Sequence, residues 1–203
     1  MAKRPSNIRR KIIDAALICA AGTPWRDVSL ATLADGAGIS LSELHGQFSS
    51  KIAVVAAIME QTTSAVVGGA DPSAGEEPAH DRLLDAILRR FDALEANKAA
   101  ITSILKDMPF DPVKVLCLAP SFMRSMAWTL ESAGISSSGI AGRLRTKGLA
   151  AIYLGALSVW IRDEDPDLAK TMAFLDRRLK QAVQIAAVLP FGLVEHSTKK
   201  QAD

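Results

Sequence analysis

The chain has 203 residues, of which 49% are hydrophobic and only 5% aromatic, with many alanines, leucines and isoleucines. This length suits one large domain or a small domain joined to a larger one, and the composition favours helices over sheets. Residues 1–11 carry five basic side chains and no acidic one (5 − 0 = +5), so the rest of the chain sums to −3 within the net charge of +2. No alternating β-branched run is long enough to indicate a sheet. We therefore predict an all-α protein with a basic start.

The cysteines, the histidines and the lengths of the apolar segments limit the cellular compartment and the chemistry expected of the protein. Cys19 and Cys117 lie in apolar helical patterns. We expect both to be buried free thiols, as in proteins of the reducing cytosol. No signal-peptide segment follows the basic start, and the longest apolar run, Leu149 to Ile161, is too short to span a bilayer. Three histidines fit no metal-binding spacing: His45, His80 and His196. We expect a soluble, cytoplasmic protein without catalytic residues, metal or cofactor.

The first predicted helix runs from Ser6 or Asn7 to about Ala21 and is basic at one end. Its apolar stripe is flanked by Arg9, Arg10 and Lys11. The run Gly22-Thr23-Pro24 ends it. A basic helix of this kind is suited to phosphate contact.

The stretch Ser29 to Lys51 predicts two short helices joined by a tight turn. Ser29 is a helix N-cap, and Gly38 stands where the chain must turn in a left-handed conformation. Ser40 to Glu43 has capping-box spacing, which starts the second helix. The inward side of that helix carries Leu44 and Phe48. Its outward side forms a polar-rich ridge of major-groove size: Leu41, Ser42, Glu43, His45 and Gln47. The pattern is a helix-turn-helix.

The remaining chain predicts a helical body. A long helix begins near Ile52 and reaches about Val66, and the glycine- and proline-rich segment 68–78 reads as a flexible loop. Helices are predicted over 81–94, 97–108, 121–133, 140–162 and 166–189, with prolines 109, 112 and 120 breaking the chain and Asp165-Pro166-Asp167 starting the last helix. Small residues on one face of the helix 140–162 allow another helix to approach closely.

The N-terminal part resembles the DNA-binding segment of TetR-family transcriptional repressors. Their motif runs through an alanine-rich helix, AxxAGVS, a short recognition helix and YxxFxSK. Here it stands as Ala34 to Ser40, His45 to Phe48, and Ser50-Lys51, and the likeness covers residues 7–60. The resemblance implies a DNA-binding domain over 1–51, a linking helix over 52–67, and a ligand-binding and dimerisation domain over 68–203. The implied function is that of a regulator, in the family's manner a repressor, which binds a palindromic operator as a homodimer.

The resemblance assigns contacts to double-stranded DNA. Arg9, Arg10 and Lys11 are expected to meet phosphates or to enter the neighbouring minor groove, and Lys51 matches the family's phosphate-contacting lysine. Ser29 and Thr32 lie near a helix N-terminus, where backbone N–H groups favour an anion, and Ser40 completes the predicted DNA-binding set. Base reading falls to Leu41, Ser42, Glu43 and Gln47. Glu43 has a second interpretation as a pure capping-box residue. His45 replaces the tyrosine that anchors a phosphate in the family, and Gly46 is expected in the middle of the recognition helix, which it weakens.

The body carries two further predicted sites. Apolar side chains that either line a cavity for a small lipophilic effector or pack in the core are Phe91, Met108, Phe110, Phe122, Met126, Trp128, Tyr153 and Trp160. The last two helices are either central core helices of a monomer or, as the resemblance implies, a four-helix dimer interface. The predicted interface residues are Gly148, Ala151, Gly155, Met172, Leu175, Leu179 and Val183.

A second resemblance offers a rival function. The segment Leu144 to Leu179 looks like the C-terminal helices of TetR-fold, lipid-binding accessory proteins of ubiquinone biosynthesis, through a tryptophan, the Asp-Pro-Asp turn and the run FLDRRL. That likeness implies a protein that holds an isoprenoid or other lipid and does not read DNA.

Overall fold

Helices form all the regular structure in the residues that the computed structural model describes, which are 5–70, 75, 77–108 and 111–188. The helices are α1 (Pro5–Gly22), a 3₁₀ turn (Trp25–Asp27), α2 (Leu30–Ala37), α3 (Leu41–His45), α4 (Lys51–Gly68), α5 (Ala79–Glu95), α6 (Lys98–Asp107), α7 (Pro112–Ser132), α8 (Gly139–Trp160) and α9 (Ala169–Val188). The predicted all-α class is confirmed. Lys3, Arg4, Phe110, Leu189 and His196 lie outside the described residues.

The chain divides into two compact units. The first contains residues 1–65 and 90–125, and within it α1 packs against α2 and α6 while the 3₁₀ turn also contacts α6. The second contains residues 66–89 and 126–203, and its main packing is of α8 against α9. This division by contacts does not follow the expected boundaries at residues 51 and 67, because α6 is grouped with α1. The assignment of functions to 1–51, 52–67 and 68–203 stays a prediction.

The turn between α2 and α3 is built as its sequence predicts. Ser29 Oγ accepts the N–H of Thr32 at 3.0 Å, which satisfies a free donor at the start of α2. Gly38 ends α2 at φ 64° and ψ 40°, and the N–H of Ile39 closes the turn on the carbonyl of Ala34 at 3.0 Å. This is the left-handed cap that glycine adopts without steric cost.

Gly46 lies outside the recognition helix, contrary to the expectation that it interrupts it. α3 ends at His45, and Gly46 is its C-cap at φ −63° and ψ −17°, a right-handed conformation open to any residue. A Cβ added there would meet the carbonyl oxygens of Glu43 and Ser42 at 3.5 and 3.6 Å, which are ordinary contacts. The glycine therefore serves no conformational need in the protein itself.

α7 is one helix where a break was expected, and this prediction was wrong. Pro112 occupies its first position, where the missing N–H has no role, and Asp111 Oδ1 accepts the N–H of Lys114 at 3.1 Å. Pro120 lies inside the helix and deprives the carbonyl of Leu116 of its usual partner. Both residues are exposed, so water can bind that carbonyl.

The start of α9 is set by Asp163, which the sequence patterns did not single out. The Asp165-Pro166-Asp167 run forms a turn, and the helix begins only at Ala169. Asp163 is 1% exposed, and its Oδ2 accepts the N–H and the hydroxyl of Thr171 at 2.9 and 2.8 Å. Burial is the largest effect and raises the pKa of Asp163, but the hydrogen bonds from Thr171 and Asp165 and the charge of Lys170 together outweigh it and lower that pKa below its usual value. Asp163 thus ties the end of α8 to the start of α9.

The small residues of α8 lie on two different surfaces, one packed against α9 and one exposed. A Cβ on Gly155 would lie 2.8 Å from the Phe174 ring of α9, so this glycine permits the close packing of α8 on α9. Gly148 and Ala151 are exposed, and a Cβ on Gly148 would meet nothing within 4 Å. The predicted small face is therefore divided between the subunit's own packing and its outer surface.

Two glycine substitutions should change stability in opposite directions. Gly38→Ala should lower the free energy of unfolding by about 1–2 kcal/mol, because the Cβ of alanine makes a left-handed backbone conformation unfavourable. Gly46→Ala should raise it by about 0.4–1 kcal/mol by restricting the unfolded chain. Urea denaturation of the two variants beside the parent checks this, and equal losses in both would contradict the assigned cap geometries.

Asp163→Asn should destabilise the second unit in a pH-dependent way. The lowered pKa means that the charged form stabilises the fold above the ordinary aspartate pKa of about 3.9 and loses this effect as the pH falls through the folded value. We expect a loss of about 1–3 kcal/mol at pH 7 that shrinks below about pH 4. Asp165→Asn, an exposed neighbour, is the control in denaturant titrations. A pH-independent loss would refute the role of the charge.

Candidate nucleic-acid interface

The outward face of α3 forms the predicted ridge. Leu41 is 53% exposed, and Ser42, Glu43 and His45 are exposed with it, while Gln47 is half-buried. The opposite side is fixed, since Leu44 and Phe48 are almost wholly buried. A helix of this width fits the major groove of B-DNA. The structure thus presents together the side chains expected to read bases, although their contacts with DNA stay a prediction.

Glu43 and Ser40 are engaged in capping. Glu43 Oε2 accepts the backbone N–H and the hydroxyl of Ser40, both at 2.8 Å, and Ser40 Oγ accepts the N–H of Glu43 at 3.2 Å. This is the capping box expected from the spacing. Of the two interpretations of Glu43, the geometry therefore favours capping, and a base contact through Oε2 would compete with these bonds.

The basic residues of α1 differ in accessibility. Arg9 is half-buried: it pairs with Glu60 Oε2 at 3.3 Å, and its guanidinium lies 4.6 Å from the centre of the Phe48 ring. It therefore links α1 to α4 and to the segment after α3. Arg10 is exposed and Lys11 half-buried. Arg10 is therefore the most accessible of the three, and its contact with a phosphate stays a prediction.

The start of α2 offers hydroxyls beside free backbone donors. Ser29 and Thr32 are exposed, and their hydroxyl oxygens lie 2.8 Å apart. Ser29 Oγ already serves as the helix cap, so an anion here would meet the remaining N–H groups of the first turn. Phosphate binding at this end stays a prediction.

Lys51 has a structural role that its expected phosphate contact did not include. Its ammonium donates to the carbonyl of Trp25 at 2.6 Å and to the carbonyl of Val28, and it lies 4.7 Å from the centre of the Trp25 ring. Trp25 and Val28 are both buried. Two of its three N–H donors are thus used inside the protein. Through these hydrogen bonds, Lys51 links the start of α4 to the segment that precedes α2.

The charge of Lys51 is influenced by its surroundings. Burial is the largest effect and lowers the pKa of Lys51, and the nearby Lys114 lowers it further. Asp107 and Asp27 act in the opposite direction and raise it. The net result is a lysine pKa below the usual value, which sets Lys51 apart from a fully solvated phosphate-binding lysine.

The predicted effector-binding residues divide between the two units. Phe91, Met108 and Phe122 belong to the first unit, and Met126, Trp128, Tyr153 and Trp160 belong to the second. Phe110 lies outside the described residues. Four of the set are buried: Phe91, Met126, Tyr153 and Trp160. Met108 and Phe122 are half-buried, and Trp128 is 51% exposed, which places it at the surface of the second unit. The choice between a cavity lining and core packing stays open for the buried members.

The predicted dimer residues also fall into two groups. Gly148, Ala151, Met172 and Val183 are exposed, as an interface requires. Leu175 and Leu179 are buried within the subunit and leave almost no surface for a partner. Their near-helical spacing therefore reflects the packing of α9 inside its own chain. The exposed leucines Leu144 and Leu154 of α8 were not on the predicted list, although they share its face.

Among the described residues, no group of three His, Cys, Asp or Glu side chains could hold a metal ion. In the same part of the chain, no helix has the length and apolarity that a membrane crossing needs.

Lys51→Met should destabilise the first unit. The substitution removes the donor from two backbone carbonyls, and we expect a loss of about 1–2 kcal/mol in the free energy of unfolding. Lys180→Met is the matched control, because Lys180 is exposed and forms an i,i+4 pair with Asp176 on the surface of α9, and its loss should cost about 0.5 kcal/mol or less. Equal effects in urea denaturation would contradict the anchoring role of Lys51.

Comparison with known structures finds a similar fold in TetR transcriptional regulators. A TetR transcriptional regulator from Nitrosomonas europaea is 25% identical, with a TM-score of 0.71 over 87% of this chain and 98% of that one. A TetR transcriptional regulator from Rhodococcus sp. RHA1 is 17% identical, with a TM-score of 0.66 over 88% and 97% of the two chains. A putative TetR-family regulator from Mesorhizobium loti is 15% identical at a TM-score of 0.58, over 91% and 98%.

Sequence comparison adds a match of a different kind. The COQ9 family model matches residues 145–186, which span most of α8, the Asp163 turn and most of α9. A search of curated protein sequences gives no match. The chain therefore has the fold of TetR-type transcriptional regulators, and its last two described helices are similar to COQ9.

Proposed function

We propose that the protein is a TetR-type transcriptional regulator that binds a palindromic operator as a homodimer. The observation that carries this proposal is the exposed ridge of α3, held from behind by buried Leu44 and Phe48 and fixed at its start by the Ser40–Glu43 capping box. A short helix with an outward polar face and a rigid inner face is the device that reads base edges in the major groove.

Positive charge on α1 and in the residues before it also supports the proposal. Arg10 is exposed on α1 and adds a cation for the DNA backbone, and the basic residues before it extend the positive start of the chain. Phosphate contacts of this kind supply affinity and register but no choice of sequence. His45, which replaces the usual tyrosine, is exposed and can donate to a phosphate from its ring.

Dimerisation is supported by an exposed apolar stripe on α8. Ile140, Leu144, Gly148, Ala151 and Leu154 recur at helical spacing and are all exposed. Exposed apolar residues in such a row suit a partner helix. Pairing across a two-fold axis would present two α3 ridges about 34–36 Å apart, which matches one turn of DNA.

Ligand control is the remaining part of the proposal. A small lipophilic effector in the helical body would repack the helices after Asp81 and tilt α4, which would change the spacing of the paired ridges. Within the second unit, the buried aromatic side chains Tyr153 and Trp160 support an apolar site without naming its ligand. As in TetR-family repressors, binding of the effector would change the affinity of the protein for its operator.

The test is selection of bound sequences from random DNA by the full chain, followed by affinity measurements on the selected site at fixed salt. Arg10→Ala should weaken binding to all sequences alike and lower the slope of log affinity against log salt by about 1. Ser42→Ala should relax the choice of base at one position. Arg162→Ala, an exposed arginine of the second unit, is the matched control. Recovery of no preferred sequence would contradict the proposal.

The COQ9 match favours one alternative, a lipid-binding accessory protein that does not read DNA. The match is confined to residues 145–186 and leaves the helix-turn-helix outside it. Native mass spectrometry of the purified chain separates the two functions. An isoprenoid or other lipid retained through purification, together with indifference to DNA at low salt, would favour the alternative.

A further inference from the structure

The two ends of α8 carry opposite charges. Residues 139–147, at the start of the helix, contain three basic side chains and no acidic one (3 − 0 = +3). Residues 161–168, which connect the end of α8 to α9, contain one basic and four acidic side chains (1 − 4 = −3). Both segments belong to the second unit, so this separation of charge is a property of one compact unit.

The basic residues at the start of α8 lie on its apolar stripe. Arg143 and Lys147 are spaced three or four residues from Ile140 and Leu144, and all four side chains are exposed on one side of the helix. The exposed positions that follow on the same side carry no charge: Gly148, Ala151, Leu154 and Ser158. The stripe is therefore basic at its start and uncharged over the rest of its length.

The acidic residues beyond the stripe are accessible. Glu164, Asp165 and Asp167 are exposed, whereas Asp163 is buried in the cap of α9. The turn is held by the N–H of Asp167, which Asp165 Oδ1 accepts at 3.0 Å. In the part of the chain that the structure describes, none of these three exposed carboxylates and neither exposed cation of the stripe forms an ion pair. Both sets of charges can therefore meet a partner.

The two charged ends are equally distant from Leu154 along the chain. Arg143 precedes Leu154 by eleven residues (154 − 143 = 11), and Asp165 follows it by eleven (165 − 154 = 11). Leu154 is 52% exposed. A second α8 laid antiparallel on the first, with the two-fold axis at Leu154, brings the two leucines together and places each basic start on the other chain's acidic turn. Parallel pairing would bring like charges together, which is costly.

We propose that a second copy of this chain docks antiparallel on the α8 stripe, with Arg143 and Lys147 facing the acidic turn 164–167 and with Leu154 at the two-fold axis. The inference rests on the proposed homodimer and specifies its register. A two-fold interface uses the same patch on both copies, so each dimer contains this charge contact twice.

The apolar and charged parts of the interface have different roles. The uncharged positions around Leu154 supply burial, which is not directional. The charges fix the direction and the register, because a shifted or parallel partner would meet charge of the same sign. They also favour a copy of this chain over a related chain that lacks either set of charges.

The test is the dimer dissociation constant of the full chain, measured by sedimentation equilibrium without DNA. Arg143→Glu with Lys147→Glu reverses the start of the stripe, and Glu164→Lys with Asp167→Lys reverses its end. Each double variant places like charges together, and we expect each to weaken the dimer about tenfold. All four substitutions in one chain restore the complementarity at unchanged net charge and should return the dissociation constant to within about threefold of the parent value.

A control variant separates this contact from a general effect of net charge. Asp35→Lys with Asp92→Lys changes the net charge as much as Glu164→Lys with Asp167→Lys does, but at exposed positions of the first unit, and should leave the dimer unchanged. Circular dichroism checks the folding of each variant. If a variant does not fold, the parent chain still provides a test, because its dimer should weaken several-fold between about 0.1 and 1 M NaCl.

The outcomes distinguish the register from the dimer itself. Double variants that dimerise like the parent, a fourfold variant no tighter than the double variants, or a parent dimer that tightens with salt would overturn the charge-paired register and leave the homodimer in place. A strictly monomeric chain would overturn both the register and the proposed homodimer.

Discussion

The hydrogen bonds from the Lys51 ammonium to two backbone carbonyls hold the helix-turn-helix to the rest of its unit. Trp25 and Val28 belong to the segment that delivers the chain to the Ser29 cap, and Lys51 is the first residue of α4. One side chain therefore fixes the entry of the motif and its exit. Because the ammonium is partly buried and also faces the Trp25 ring, the contact is less exposed to water than a surface ion pair. Lys51, which is expected to contact a DNA phosphate, therefore also stabilises the helix-turn-helix that carries the α3 ridge.

The recognition helix needs this support because it is short. α3 has only the five residues Leu41–His45, and a helix of that length is not stable alone in water. Its order comes from three sources: the capping box at its start, the burial of Leu44 and Phe48 beneath it, and the Arg9 guanidinium over the Phe48 ring. Arg9 thereby contributes to the geometry of the ridge, while Arg10 remains exposed on α1.

Local signals in the sequence predicted the helix-turn-helix well, because a cap, a left-handed glycine and a capping box each act within four residues. The same reasoning was wrong where distant contacts decide. Asp163 caps α9 from eight residues away, so the nearer Asp-Pro-Asp turn gave a false helix start. Pro120 lies inside α7 because its side of the helix is exposed. Leu175 and Leu179 have the spacing of an interface, yet spacing alone does not tell a subunit's own core from a partner's surface.

The central claim is that two copies of the α3 ridge, held in register by a dimer, bind successive major grooves. Hydroxyl-radical footprinting on a selected DNA site, with the full chain at low salt, tests it most directly. The account predicts two protected patches on one face of the duplex, about 34–36 Å or one helical turn apart and symmetric about the centre of the site. A single patch, or uniform cleavage at chain concentrations that saturate the DNA, would contradict it.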